Sequence, residues 1–383
     1  MDATRRARLG EVAAVFGRLG WVAFGGPASH VALMEREVVR RRRWLGAEEF
    51  GELFAACNLV PGPASTQLAL LLGRRRAGWA GLGLAALLFI GPAVLCMLAL
   101  GELALHLGGR RQVAALLLGV DAAVVAILVR AVVDLSRLGL RRGWTALIGA
   151  AACLAGTLGA GPVVVLAGGA AAGVLLLEPA AISRTLRGGG GGGRAPAALL
   201  VAGPTVGSGA LAPLALAFLK IGAVAVGSGY VLLPLLHAEL VGSRFGLTDH
   251  QIADAFGVSQ ATPGPVFATA AYLGVQVAGI PGGLVAAAAV FAPSLVYVPA
   301  VDAAATAIRT RPAARAALTG VLAAAVGLIA AAALSLARTA LTGVAEVTGA
   351  AVALALLLVR PTAQPAAILT GALAGLASLL PPP

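Results

Sequence analysis

The groups most able to do chemistry in this 383-residue chain cluster at two triplets, Pro61-Gly62-Pro63 and Pro263-Gly264-Pro265. Polar side chains crowd both: Asn58, Ser65, Thr66 and Gln67 at the first, Gln260, Thr262 and Thr269 at the second. Proline removes a backbone donor and clashes with the preceding turn, so a helix must break at each triplet. The residues that follow open a new helix, whose free N–H groups and dipole of about half a charge favour an anion. One such triplet is equally well a plain proline kink; two at matched positions point to a binding site. Gly25-Gly26-Pro27 breaks its segment in the same way.

Arg18 and Lys220, the chain's single lysine, hold matched places in apolar surroundings. A cation inside a membrane segment costs roughly 2.5–3.5 kcal/mol on insertion scales and marks function, unless its long side chain reaches back to the interface. Glu37 and Glu239 also match; they either exchange protons or form ion pairs with adjacent arginines. Arg130 and Asp134 stand four residues apart, one helical turn, and form a structural pair or line a pathway. The histidines and the three cysteines show no ligand spacing, and no Gly-rich nucleotide loop occurs, so neither a metal, another cofactor nor ATP hydrolysis is expected.

The elements that hold these residues are set by composition. Hydrophobic residues make up 59% and charged ones 11%, against about 45–50% and about 25% in soluble domains. Apolar runs such as 78–105 and 314–336 exceed the roughly 20 residues that carry a helix across a bilayer. They lack the alternation of a transmembrane barrel. The expected fold is an all-α, multi-pass membrane protein in a lipid bilayer. The net charge of +12 sits in arginine clusters beside apolar spans, where cytoplasmic loops hold them, so no nucleic-acid partner is expected.

The chain repeats itself. Phe16, Arg18, Gly20 and Gly25 correspond to Phe218, Lys220, Gly222 and Gly227; Glu37 and the first triplet correspond to Glu239 and the second; Gly73, Gly78 and Pro92 correspond to Gly274, Gly279 and Pro293. Six consecutive glycines, 188–193, form a flexible linker. The expected organisation is a half at 1–183, a linker at 184–196 and a second half at 197–383. Arginines flank the first half's loops, Arg40 to Arg43 and Arg74 to Arg76, and are nearly missing from the equivalent loops of the second. Positive loops kept inside then require an inverted-topology repeat. Because both arginine clusters flank one broken segment, that segment reads as a re-entrant hairpin tipped by the triplet. Inversion needs an odd number of crossings, so either residues 197–217 add one or a short helix pair fails to cross.

Phe24-Gly25-Gly26-Pro27 with His30, Arg43-Trp44-Leu45, and Pro61-Gly62-Pro63 with Gln67 and Gly73 together resemble the chromate ion transporter family in its long, two-domain form. Phe218-Leu219-Lys220-Ile221-Gly222, Gly227-Ser228-Gly229 and Thr262-Pro263-Gly264-Pro265 resemble its second-copy signature. The resemblance implies a protein of the prokaryotic plasma (inner) membrane that exports chromate and confers resistance, with transport tied to membrane potential or protons. The expected substrate site gathers Arg18, Gly25, Gly26, Pro27, Asn58, Pro61, Gly62, Pro63, Ser65 and Gln67 with Lys220, Gly227, Gly229, Gln260, Pro263, Gly264, Pro265 and Thr269. Glu37 and Glu239 stand as proton-coupling candidates. A general carrier of sulfate-like oxyanions, a passive anion channel and a membrane-embedded redox enzyme are the competing readings. A homo-oligomer stays open.

Overall fold

The structure, a computed structural model, describes residues 3–108, 110–140, 143–177, 209–226, 229–301 and 310–379. Gly227 and the linker at 184–196, with the half boundaries drawn there, lie outside these residues. The first half contains α1 (Ala3–Val22), α2 (Gly26–Glu35), α3 (Ala47–Asn58), α4 (Ala64–Leu107), α5 (Arg111–Gly139), α6 (Gly143–Thr157) and α7 (Pro162–Leu177). The second contains α8 (Leu211–Val224), α9 (Leu232–Leu240), α10 (Asp249–Ala261), α11 (Thr269–Tyr297), α12 (Pro312–Ala340), α13 (Val344–Val359) and α14 (Gln364–Ala377). The two series correspond element for element.

Neither α4 nor α11 is one straight rod. Gly78 (φ 67°, ψ −153°) turns the first back on itself and Gly279 (φ 63°, ψ −163°) the second, each after an alanine that has also left the helical region. Only glycine adopts that backbone without strain. The arms then pack against each other with no side chain between them, Gly73 on Gly81 and Gly274 on Gly282. Such small-residue contacts are the usual way for helices to approach closely in lipid. Each of these helices is therefore a short arm (64–76, 269–277) followed by a crossing arm (79–107, 280–297).

The short arm returns to where α3 began. Arg75 pairs with Glu49 at 2.7 Å, and Arg76 pairs with Glu11 and lies 5.3 Å over the Trp44 ring. The 12 residues of α3 span only about 18 Å, so α3 and the short arm enter and leave by the same face with the triplet at their tip. The broken segment is thus a re-entrant hairpin, as the arginine clusters require.

Inversion follows from where the halves touch. Gly101 stands roughly 35 Å along the crossing arm from the first bend. It packs against Tyr272 and Val275, and its carbonyl accepts from Gln276 Nε2 at 2.8 Å. The second half's bend therefore lies at the opposite end of the crossing arm from the first half's. Among the described residues α4, α5, α11 and α12 are long and apolar enough to cross a membrane. Leu87, Leu95 and Leu103, more than a turn apart on the crossing arm of α4, are exposed as a lipid-facing row.

The short pairs turn back. Gly149 and Gly156 of α6 meet α12 at Ala323 and Ala331, while Gly169 and Gly173 of α7 meet it at Gly320 and Ala316. Both arms thus run along the same stretch of α12 and leave at one end. The turn between α13 and α14 lies against Gly25 and Gly26, in the interior. Most of 197–217, the other expected source of a crossing, lies outside the described residues.

Candidate functional site

The two triplets hold each other in place. Gly62 (φ 118°) donates its N–H to the Ala225 carbonyl at 2.5 Å, and Gly264 (φ 91°) donates to the Ala23 carbonyl at 2.8 Å. Each acceptor is a backbone group freed where the first helix of the opposite half ends. A Cβ on Gly62 would lie 3.1 Å from Ser294 Oγ, and one on Gly264 would lie 2.7 Å from Ala93 Cβ. Ala93 and Ser294 each stand 15 residues, about 22 Å, beyond the bends at Gly78 and Gly279, so both breaks sit at mid-membrane depth and satisfy their orphaned backbone groups across the interface of the halves.

Between them lies a cavity of about 530 Å³. Its wall is built from helix starts. Gly25 and Pro27 open α2, Pro63 to Ser65 open α4, Pro265 to Phe267 open the turn that leads into α11, and Gln364 opens α14. At these four starts no side chain caps the helix. The first N–H groups of a helix have no internal acceptor, so four ends of about half a charge each present roughly two positive charges. That is the charge of a dianion. Arg130 and Asp134 complete the wall, bonded to each other at 2.8 Å; the helical pair is therefore both a structural pair and part of the lining.

Hydrogen bonds among the lining residues set the wall. His30 Nε2 donates to the Ala23 carbonyl at 3.1 Å, its Nδ1 lies 3.4 Å from Ser65 Oγ, and its ring meets Phe89 edge-on. It thereby ties the first break to the start of α4. Gln364 Nε2 donates to Tyr230 Oη at 2.6 Å, joining the α13–α14 turn to the second half's break. The buried Thr66 Oγ1, Gln67 Oε1, Ser294 Oγ and Gln364 Oε1 have no protein partner. A buried polar group left so costs about 1–3 kcal/mol; of these four, Gln364 lines the cavity.

The expected site residues divide. Gly25, Pro27, Asn58, Pro63, Ser65, Gly229 and Pro265 line the cavity. Gly26 touches Gln364, and Pro61 offers its carbonyl to Gln67. Gly62 and Gly264 make the cross-half bonds, Pro263 precedes the second, and Thr269 donates to the Val266 carbonyl at 2.6 Å. Gln260 is buried with both amide atoms unpartnered. Arg18 and Lys220 stand elsewhere: Arg18 pairs with Glu37 at 2.7 Å and Lys220 with Glu239 at 2.5 Å, each cation half exposed. The carboxylate 19 residues onward neutralises each, so neither is a free charge for the cavity. Glu37 also meets Arg41 and Arg42, at 3.2 and 3.8 Å. Tyr230, Thr362 and Gln364 line the cavity beyond the expected residues; Pro361, between α13 and α14, is the sequence signal that could mark the last two.

A sequence model of the chromate transporter family matches residues 10–174 and again 212–376. A chromate transport protein of Cupriavidus metallidurans is 32% identical over 88% of this chain and 84% of its own length. One from Pseudomonas aeruginosa is 30% identical over 88% and 83%, and a probable chromate transport protein of Synechococcus elongatus 31% over 74% and 73%. No solved structure matches the chain. Doubled helix breaks, an inverted repeat and a doubled family match agree: the chain belongs to the chromate transporter family, membrane transporters rather than enzymes.

Proposed function

We propose that this protein is a secondary transporter that exports chromate across the prokaryotic plasma membrane and so confers resistance to it, by alternating access of its two halves around the mid-membrane cavity. The observation that carries this reading is the convergence of four uncapped helix starts and Arg130 on one cavity between the halves. Backbone N–H groups spread over several directions suit a tetrahedral oxyanion, and fixed dipoles supply charge with no need to desolvate an ammonium. Arg130 exchanges its partner: in the empty cavity Asp134 takes the guanidinium, and on loading the oxyanion does. The return of Asp134 then competes for Arg130 and eases release. The names of the relatives from Cupriavidus metallidurans and Pseudomonas aeruginosa support chromate as the solute.

Labelled chromate uptake into everted vesicles tests the reading. Vesicles with the protein should accumulate chromate saturably and against its gradient. Excess sulfate, also a tetrahedral dianion, should compete weakly. Flux that never exceeds the electrochemical gradient means a channel, and equal displacement by sulfate means a general oxyanion carrier; either contradicts the proposal.

A further inference from the structure

A second polar cluster lies away from the cavity, where α5 of the first half meets α10 of the second. Asp121, 1% exposed, and Asp254, 8% exposed, are within hydrogen-bonding reach of each other. Each has a buried Oδ1 without a partner. Asp121 Oδ2 bonds His250 Nδ1 at 2.8 Å, and the His250 side chain is half exposed. His250 and Asp254 stand one turn apart on the same face of α10. The packing is close: a Cβ on Gly257 would overlap Val120 and Val124 of α5.

Two ionised carboxylates cannot share a buried contact, because both oxygens are acceptors only; a proton between them converts one into a donor. Among the described residues, the other titratable groups beside the pair are Asp249, ion-paired with His237 at 2.6 Å behind His250, and Tyr272 on α11. Of the other helices packed on α5, α14 carries no ionisable residue. Arg315 and Arg338 stand near the two ends of α12, and Glu346 of α13 folds back onto its own helix start at Gly343. Glu37 and Glu239, the carboxylates expected to carry protons, are by contrast paired with cations.

We propose that Asp121 and Asp254, reached through His250, form the proton-binding site that drives this transporter, a reading that rests on the transport function above. His250 opens on the face opposite the first half's arginine loops, so a proton taken up there and released to the other side moves counter to exported chromate. The link to the substrate is α10 itself. Asp254 lies midway along it, and its C-terminal end, about 10 Å further on, leads into Pro263-Gly264-Pro265. A shift of the rod on proton binding therefore moves a wall of the cavity.

The test uses the purified full chain in proteoliposomes, with labelled chromate followed as exchange at equal pH and as net accumulation driven by an acidic interior. Wild type should do both. Asp121→Asn and Asp254→Asn should keep exchange within about twofold and lose at least about tenfold of the driven accumulation. Variants that retain driven accumulation, or that lose exchange equally while staying folded, overturn the proposal. Wild-type protein alone also decides: adding chromate in weak buffer should displace protons, and accumulation indifferent to pH or driven by sodium instead overturns the assignment. Absence of any chromate exchange in wild type contradicts the transport function itself.

Discussion

The helices α5 and α12 occupy equivalent places in the two halves, and each faces a cavity in the same register. Ile127, Arg130, Ala131, Asp134 and Leu135 line one of about 530 Å³; Leu328, Ala331, Ala332, Ser335 and Leu336, their counterparts, line one of about 330 Å³. The turn of a short helix pair closes both: Pro361 to Gln364 at the first, Gly159 to Pro162 at the second. Only the first has an arginine; the second carries His237, Asp249, Ser335 and Thr339, and the starts of α7 and α10 lie in its wall. Duplication supplied two chambers, and sequence divergence gave them different polar groups. The difference extends to the breaks: His30 and Ser65, which brace the first, correspond to Leu232 and Phe267. Fold symmetry and site symmetry are therefore separate properties, and the first is preserved without the second.

The sharpest way to break this comparison is Arg130→Ala. It removes a charged hydrogen bond to the anion worth about 1.5–3 kcal/mol and leaves Asp134, 42% exposed, facing the dianion, so chromate transport should fall by about 10- to 100-fold while the protein still reaches the membrane. Vesicle uptake and membrane abundance measure both. The Gly264→Ala change acts on the backbone instead. Its φ of 91° and the approach of Ala93 give a cost of about 1–3 kcal/mol, visible as a lower melting temperature in detergent together with weaker transport. A smaller effect is expected for Gln364→Ala, which loses one neutral hydrogen bond of about 0.5–1.5 kcal/mol; the apparent KM for chromate should rise about three- to tenfold. Least of all should come from Ser335→Ala in the second chamber and from Lys220→Ala at the surface. Exposed ion pairs are worth about 0–1 kcal/mol, so KM should stay unchanged in both. A changed KM in either would show that the second chamber or the Lys220–Glu239 pair handles the anion.

Much of the fold could be read in the sequence because proline and glycine act locally. Pro61, Pro63 and Gly78 dictate where helices break whatever surrounds them, and their doubles at Pro263, Pro265 and Gly279 disclosed the repeat. The arginine loops disclosed the inversion, since charge placement follows a rule of insertion rather than of packing. Partners distant in sequence could not be read. Gln364 and Tyr230 meet only because the α13–α14 turn reaches the middle of the membrane, a matter of tertiary packing. Arg18 and Lys220 looked solitary because their stretches are apolar, yet Glu37 and Glu239 return to them once the chain doubles back after its first break. Arg130 and Asp134 posed the reverse problem: their spacing revealed the pair, but the direction they face depends on how α5 packs.

The central claim is that the oxyanion binds among the helix starts at mid-membrane depth. Locating chromium in chromate-soaked protein, by its anomalous scattering, tests this most directly. The account predicts one peak in the larger cavity, within reach of Arg130 and the backbone N–H groups of Ser65 and Phe267. A peak in the cavity beside Ser335, or at the Arg18 and Lys220 surfaces with the larger cavity empty, would contradict it.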